Sequence, residues 1–133
     1  MIKTAKNPVK TKETSVTALK AFFSLADKWE LSREQAMILL GIDSTSTYAN
    51  WKKGQSGALP KDTLERISYL LGIHKSLRIL FSRNIDSVYQ WVRKPNGHPF
   101  FSGKSALERM LSGNVADLYI VRQYLDAQRG GWS

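Results

Sequence analysis

The chain has 133 residues, of which 42% are hydrophobic and 11% aromatic, and this composition supports a packed interior and excludes disorder as the default. It contains no cysteine, which excludes disulfide frameworks and thiolate metal sites and fits a reducing compartment. The net charge of +9 favours a polyanionic partner, because Lys and Arg displace counterions from nucleic acid.

The positive charge is spread over both halves of the chain. Residues 1–72 hold 11 basic and 7 acidic side chains and residues 73–133 hold 9 and 4, so the net charges are +4 and +5. The charge therefore predicts an acidic partner but does not indicate which half binds it.

The first residues lack the apolar segment of a secretory signal, and no apolar run approaches the ~18 residues that span a bilayer. We therefore expect a soluble, cytoplasmic protein with no membrane partner.

The chain is predicted to begin with a flexible basic arm over residues 1–14, which is rich in Lys and contains Pro8. Such an arm either touches a phosphate backbone or is simply solvated. From Ser15 onward, apolar residues recur with the i, i+3, i+4, i+7 spacing of a helix that buries one face. These residues are Val16, Leu19, Phe22, Phe23, Ala26 and Trp29.

Three more helices are predicted in the first half, and caps and glycines mark their ends. Ser32 and Gln35 have the Ser-x-x-Gln spacing of a capping box, which opens the second helix. The other predicted boundaries are Gly41 at the end of the second helix, Asp43 or Ser44 to Gly54 for the third, and Pro60 to Gly72 for the fourth. Two short helices joined by a tight Gly turn are typical of a helix-turn-helix.

The third helix has the residue pattern of a DNA-reading helix. Tyr48 and Trp51 can face the scaffold, while short polar side chains line the opposite side. Asn50 can pair with adenine, hydroxyls can bond bases or phosphates, and lysines suit phosphates. The predicted DNA contacts are Ser44, Thr45, Ser46, Thr47, Asn50, Lys52, Lys53 and Lys61. The alternative is that this side is merely the polar outer face of a helical bundle.

The second half is predicted to be helical as well, which makes the whole fold all-α. Residues 74–92 form one bent helix, or two if Asn84 or Asp86 starts another. The segment that follows, KPNGHPFFSG, combines turn residues with two adjacent Phe and is more apolar than a plain connector requires. Ser102 or Ser105 can cap the next helix, which Gly113 closes.

A last helix is predicted from Asn114 to about Gln128, with apolar residues over roughly half its circumference. This breadth indicates either burial in a compact core or packing on the core and on another chain. The final residues, Arg129 to Ser133, are predicted to be a flexible tail with a Gly-Gly hinge. Arg and Trp are enriched at binding hot spots, so the tail is either an anchor for a partner or a frayed end.

Catalytic chemistry finds no support in the sequence. His74 and His98 stand in unrelated contexts with no Cys, so no standard zinc set is present. The glycines match neither the phosphate-loop nor the dinucleotide-binding spacing, and no Ser-His-acid arrangement stands out. We therefore expect a protein that is not an enzyme and has no cofactor and no metal.

Several motifs together resemble the Xre/MbcA/ParS antitoxin family. The matching residues of the C-terminal half are Trp91-Val92, Pro95-Asn96, Phe101-x-Gly103-Lys104-Ser105, Gly113, Val121-x-x-Tyr124-Leu125 and Arg129-Gly130-Gly131. Leu39-Leu40-Gly41-Ile42 and Trp51-Lys52-Lys53-Gly54 resemble the family's Xre-type helix-turn-helix. Ala106 departs from the pattern, because many relatives have Pro there. The resemblance implies an Xre-like domain over residues 15–73 and a toxin-binding domain over residues 74–133.

What the resemblance implies is an antitoxin of a type II toxin-antitoxin system. Its partner would be a RES-domain toxin that consumes NAD⁺ or uses it for ADP-ribosylation, covered at its active site by the antitoxin's C-terminal region. As a homodimer, the antitoxin would bind operator DNA, repress its own operon and so associate with the nucleoid. The expected toxin contacts are Pro95, Asn96, Phe100, Phe101, Arg122, Tyr124, Arg129, Gly130, Gly131 and Trp132. The alternatives are a stand-alone helix-turn-helix regulator and an adaptor with a degenerate DNA helix.

Overall fold

The computed structural model describes residues 8–130, with side chains from Lys12 onward. Within these residues the chain forms seven α-helices and two short 3-10 turns. The α-helices are α1 (Pro8–Lys28), α2 (Arg33–Leu40), α3 (Thr45–Lys52), α4 (Lys61–Leu80), α5 (Ile85–Gln90), α6 (Ala106–Met110) and α7 (Val115–Gly130). In the same residues the extended pairing is a single isolated bridge between Pro95 and Ser105. The all-α prediction is confirmed.

Helix α1 begins at Pro8, earlier than the apolar periodicity predicts. Proline suits the first turn of a helix, because its missing N–H would have no partner there and its φ is already helical. No glycine or second proline interrupts the chain between this residue and Lys28. The expectation of an irregular arm therefore does not hold for residues 8–14, and the rest of the predicted arm lies outside the described residues.

The helix-turn-helix boundaries follow the predicted caps. Ser32 Oγ accepts a hydrogen bond from the Gln35 N–H at 3.1 Å, and Gln35 Oε1 accepts one from the Ser32 N–H at 2.9 Å. Gly41 ends α2 with φ +76°, a left-handed conformation that Gly adopts without strain. Ser44 caps α3 through a 3.2 Å bond from the Thr47 N–H. These three predictions are confirmed.

Helix α4 continues through Gly72, where the sequence predicted an end. The reason lies on α7, because a Cβ on Gly72 would stand 2.6 Å from the guanidinium of Arg122. The glycine therefore makes room for the Arg122 side chain and does not mark a turn. α4 packs most extensively on α7 and next on α1, so one helix connects both halves of the fold. The predicted boundary between residues 73 and 74 falls inside it.

The segment between α4 and α6 is built from short elements. Asn84 Oδ1 accepts a 3.2 Å bond from the Ser87 N–H and opens α5, so the two-helix alternative is correct and Asn84 is the cap. Lys94 is extended before Pro95, as predicted. Ser105 opens α6 with a full capping box to Glu108.

The largest fully buried side chains include Trp29, Phe22 and Phe101, which come from both halves of one continuous core. Helix α7 buries a single stripe of Leu118, Val121 and Leu125. The helix also extends through Gly130. The prediction that a flexible tail begins at Arg129 is therefore wrong for Arg129 and Gly130, which are helical. Gly131 and Trp132 lie outside the described residues.

Candidate functional site

The outward face of α3 carries the polar side chains that the sequence predicted for DNA contact. Thr45, Ser46, Asn50 and Lys53 are exposed, whereas Tyr48 and Trp51 are buried. Among the described residues, the side-chain amide of Asn50 has no hydrogen-bond partner within the chain. A free amide on an exposed helix face can make the two bonds with which Asn recognises adenine.

Ser44 has a different position from the other predicted DNA contacts. Its hydroxyl is half-buried, accepts the capping bond from Thr47 and lies 3.1 Å from the Ser46 hydroxyl. Both hydroxyls are thus partly occupied by the start of α3. Ser44 therefore fixes where the helix begins, and Thr45 and Asn50 offer freer groups.

Contacts between aromatic rings hold α3 on the scaffold. The Phe23 ring of α1 packs edge-to-face on Tyr48, with centroids 5.5 Å apart. The Lys52 ammonium lies 5.9 Å from the centroid of the same Tyr48 ring. A cation over an aromatic face is attracted by the ring quadrupole, which orients Lys52 without a carboxylate. Lys61 is exposed at the first position of α4.

The second candidate surface is the docking turn, residues 94–105. The Asn96 N–H donates to the Lys104 carbonyl at 3.0 Å and closes the base of the turn. Inside it, the His98 N–H donates to Asn96 Oδ1 at 2.8 Å, and the Phe100 N–H donates to His98 Nδ1 at 3.1 Å. The backbone of the turn is thus fixed by its own side chains, and Pro95 is exposed on it.

The two adjacent Phe of the docking turn have opposite environments. Phe101 is 2% exposed and packs edge-to-face on Tyr124 at 5.2 Å and on Trp91 at 6.0 Å. Phe100 is 46% exposed, with its ring 4.5 Å from that of His98. The expectation that both rings contact a partner therefore fits the position of Phe100, whereas Phe101 lies in the core and is not accessible. Tyr124 is half-buried beneath both rings.

Arg109, which the sequence did not single out, ties this turn to α7. Its guanidinium donates to the Phe100 carbonyl and to Asp117 Oδ1, the latter at 2.9 Å. Burial alone would raise the pKa of Asp117, but hydrogen bonds from Ser112 and Arg109 and the charge of Arg109 together hold that pKa below its usual value. The acid therefore stays ionised and keeps Arg109 in place. Phe100 lies nine residues before Arg109 and Asp117 lies eight residues after it. These separations are not the three- or four-residue spacings of a helix, so no sequence pattern predicts the contacts.

Arg122 and Arg129 lie along the seam between α4 and α7. The Ser76 hydroxyl is buried, donates to Asp126 Oδ1 at 2.7 Å and accepts from Arg129 Nη1 at 3.2 Å. Arg122 Nε lies 3.6 Å from Asp126 Oδ2, and its Nη1 donates to the Ser68 carbonyl at 3.4 Å. Both arginines thus contribute to helix packing, although Arg129 remains exposed for the most part. Toxin contact by either residue stays a prediction.

Two other kinds of site are absent from the described residues. No group of three or more His, Cys, Asp or Glu side chains within the described residues is arranged to hold a metal ion. In the same part of the chain, no helix is both long and apolar enough to cross a membrane.

Comparison with known proteins assigns both halves of the chain. The family model of the antitoxin Xre-like helix-turn-helix domain matches residues 14–72. The model of the antitoxin Xre/MbcA/ParS C-terminal toxin-binding domain matches residues 76–131. A Sinorhizobium fredii protein, "Uncharacterized protein y4oB", is 53% identical over 113 residues, covering 85% of this chain and 84% of its own.

The chain belongs to the Xre/MbcA/ParS antitoxin family. It therefore has an N-terminal helix-turn-helix domain followed by a C-terminal toxin-binding domain, as the motifs predicted. The family is one of regulatory antitoxins and not of enzymes. Membership also implies two classes of partner, a toxin for the C-terminal domain and DNA for the helix-turn-helix.

Proposed function

We propose that this antitoxin neutralises a RES-domain toxin that acts on NAD⁺, and that as a homodimer it binds operator DNA and represses its own operon. The observation that carries the proposal is the pairing, in one chain, of the two antitoxin domains with an exposed apolar ring on a fixed turn. A family member needs both a surface for a toxin and a surface for DNA, and the two candidate surfaces lie in different halves.

The docking turn supports the neutralising role. Phe100 is a large apolar side chain that is nearly half exposed, and its backbone is already fixed by His98 and Arg109. An ordered turn loses little conformational entropy on binding, so an apolar ring on it can enter a partner's cleft at low cost. Pro95 and Asn96 lie in the same turn and Tyr124 lies beneath it.

The carboxyl end of α7 supports covering of the toxin's active site. Arg129 and Gly130 form the last described turn of the helix, and Gly131 and Trp132 follow in the sequence. A guanidinium can pair with acidic groups and an indole can fill an apolar pocket, which are the properties of binding anchors. We place the toxin's reactive cleft against this end, with Arg122 and Tyr124 further back on the same helix.

The α3 face supports the repressor role. Asn50 and its neighbours would read base edges, while Lys52, Lys53 and Lys61 would contact phosphates. A dimer would place two such helices on two half-sites one turn of DNA apart. The protein would then be cytoplasmic and nucleoid-associated when bound to its operator, and it would need no cofactor of its own.

The test is co-expression with the product of the neighbouring gene, scoring growth, cellular NAD⁺ and co-purification. We expect the neighbour alone to stop growth and deplete NAD⁺, and the antitoxin to restore both and to co-purify. Restored growth with NAD⁺ unchanged throughout would contradict the NAD-consuming toxin. No effect of the neighbour on growth would contradict the toxin partner and favour a stand-alone regulator.

A shortened chain tests the proposed role of the carboxyl end. We expect an antitoxin without residues 131–133 to keep its melting temperature and DNA binding, because α7 and the Arg129–Ser76 bond remain. Its inhibition of the toxin should be incomplete at saturation. Complete inhibition would transfer the blocking role to the docking turn.

A further inference from the structure

A groove of about 400 Å³ runs between α1 and the carboxyl end of α3. Apolar side chains form the floor of the groove, and lysines form its rim. The lining residues are Val16, Leu19, Lys20, Phe23, Trp51, Lys52, Lys53 and Gly54. Leu19 and Trp51 are buried in the core, so core packing fixes the position of the floor. The three lysines are exposed. The groove is therefore a preformed concave surface bordered by positive charge.

Among the described residues, no carboxylate lines the groove to balance this charge. The lining contains no Asp or Glu, and the ion pairs among the described residues all lie elsewhere in the fold. Lys52 interacts with the Tyr48 ring, which orients its ammonium and leaves its charge unneutralised. Three ammonium groups around one groove repel each other, and an anion placed among them removes that repulsion.

The partial negative charge at the carboxyl end of α3 opposes an anion here, but it is small compared with the charge of the three lysines. The carboxyl end of a helix carries about −0.5 of an elementary charge, and the groove lies at that end of α3. Three full positive charges on the rim exceed this partial charge. The groove therefore remains attractive for a group with one or two negative charges.

The position of the groove relates it to the DNA-reading face. Lys53 lines the groove and also follows Asn50 by three residues, which places both on the same side of α3. A strand of DNA whose bases meet Asn50 would carry its phosphates past Lys53. Lys20, from α1, lines the same groove.

We propose that this groove binds a backbone phosphate of duplex DNA, and that Lys20 of α1 is a phosphate contact in addition to Lys52 and Lys53. The inference rests on the proposed DNA-binding function and extends it to α1, which precedes the two helices α2 and α3 of the helix-turn-helix motif. The occupant is DNA because the rim is wholly basic and adjoins a base-reading face. Lys20 would strengthen binding to every sequence equally, since a phosphate carries no sequence information.

The experiment compares Lys20→Gln with Lys75→Gln, an equal loss of charge at an exposed site on α4. Affinity is measured by fluorescence anisotropy between 50 and 200 mM salt, for the DNA upstream of the gene and for an unrelated duplex. We expect Lys20→Gln to reduce the slope of log affinity against log salt by about 0.9 for each Lys20, or about 1.8 for the proposed dimer, with both duplexes. Over this fourfold change in salt, the wild-type dimer should then lose about 12-fold more affinity than the variant.

The control variants and the alternative outcomes complete the test. Lys20→Arg should keep the wild-type slope, and Lys75→Gln should match it. An unchanged slope in Lys20→Gln, or an effect confined to the upstream duplex, would overturn the phosphate assignment. Weaker toxin binding with DNA binding intact would show instead that the groove serves the protein partner. If the wild type binds neither duplex, both this inference and the proposed DNA-binding function are wrong.

Discussion

The two halves of the chain present their contact residues in different ways. In the helix-turn-helix, local caps fix the position of α3, and its polar face is exposed because Tyr48 and Trp51 are buried opposite. In the C-terminal half, Phe100 is held by Arg109 and by a ring cluster that includes Tyr124, residues distant in the sequence. The start of α3 is thus set by a cap within its own segment, whereas the position of Phe100 depends on α6 and α7 as well as on the bonds within the docking turn.

The largest effect on stability is expected from removing the Phe101 ring, which packs on Trp91 and Tyr124. Phe101→Ala should lower the free energy of unfolding by about 3–5 kcal/mol, because it empties a fully buried site. The neighbouring Phe100→Ala should change stability by less than about 0.5 kcal/mol and instead weaken toxin binding. Chemical denaturation and toxin affinity, measured on both variants, check this. Equal losses of stability would mean that the two rings share one environment.

A smaller effect is expected from releasing the docking turn at Arg109. Arg109→Met should cost about 1.5–3 kcal/mol of stability, because it removes charged hydrogen bonds and leaves Asp117 without its cation. Toxin affinity should fall while DNA affinity stays unchanged. Arg33→Met is the matched control, since its ion pair with Glu34 is exposed and such pairs contribute at most about 1 kcal/mol. A similar loss in both variants would contradict a positioning role for Arg109.

The reading face can be tested without changing the fold. Asn50→Ala should weaken operator binding by about 1–3 kcal/mol, or about 5- to 150-fold, and leave toxin neutralisation intact. Lys53→Ala should instead weaken all duplexes alike. Anisotropy with operator and unrelated DNA separates the two. Unchanged operator affinity in Asn50→Ala would show that the assigned face is wrong.

The smallest effect concerns pH and His74. Its Nε2 is buried without a partner among the described residues, and burial followed by the charge of Arg78 lowers its pKa below 6.5. The unfolded chain then binds a proton more readily than the folded one. Stability should be complete above about pH 6.5 and fall as the pH drops below it. His74→Phe should flatten this dependence in thermal melts from pH 7.5 to 5, and an identical dependence would assign it to another group.

The features that were predictable from the sequence are the local ones. Ser32, Ser44 and Asn84 cap helices with partners three residues away, and Gly41 ends one through its own backbone preference. The sequence failed at Gly72, because the reason for this glycine is Arg122, fifty residues later. It also could not separate Phe100 from Phe101, since these adjacent identical residues differ through contacts with Trp91, Arg109 and Tyr124, which come from three other segments.

The unbroken helix α4 has a consequence for how such antitoxins can vary. Its 20 residues form a rod of about 30 Å, with about 100° of rotation per residue. Inserting a single residue after Gly72 would turn one half against the other by that angle and displace Arg122 from its notch. A change in the length of α4 would therefore misalign its packing on α7, whereas substitutions on either candidate surface would leave that packing in place. Chimaeras of two relatives should therefore fold only when their α4 helices have equal length and their buried residues fit the one core that both halves share.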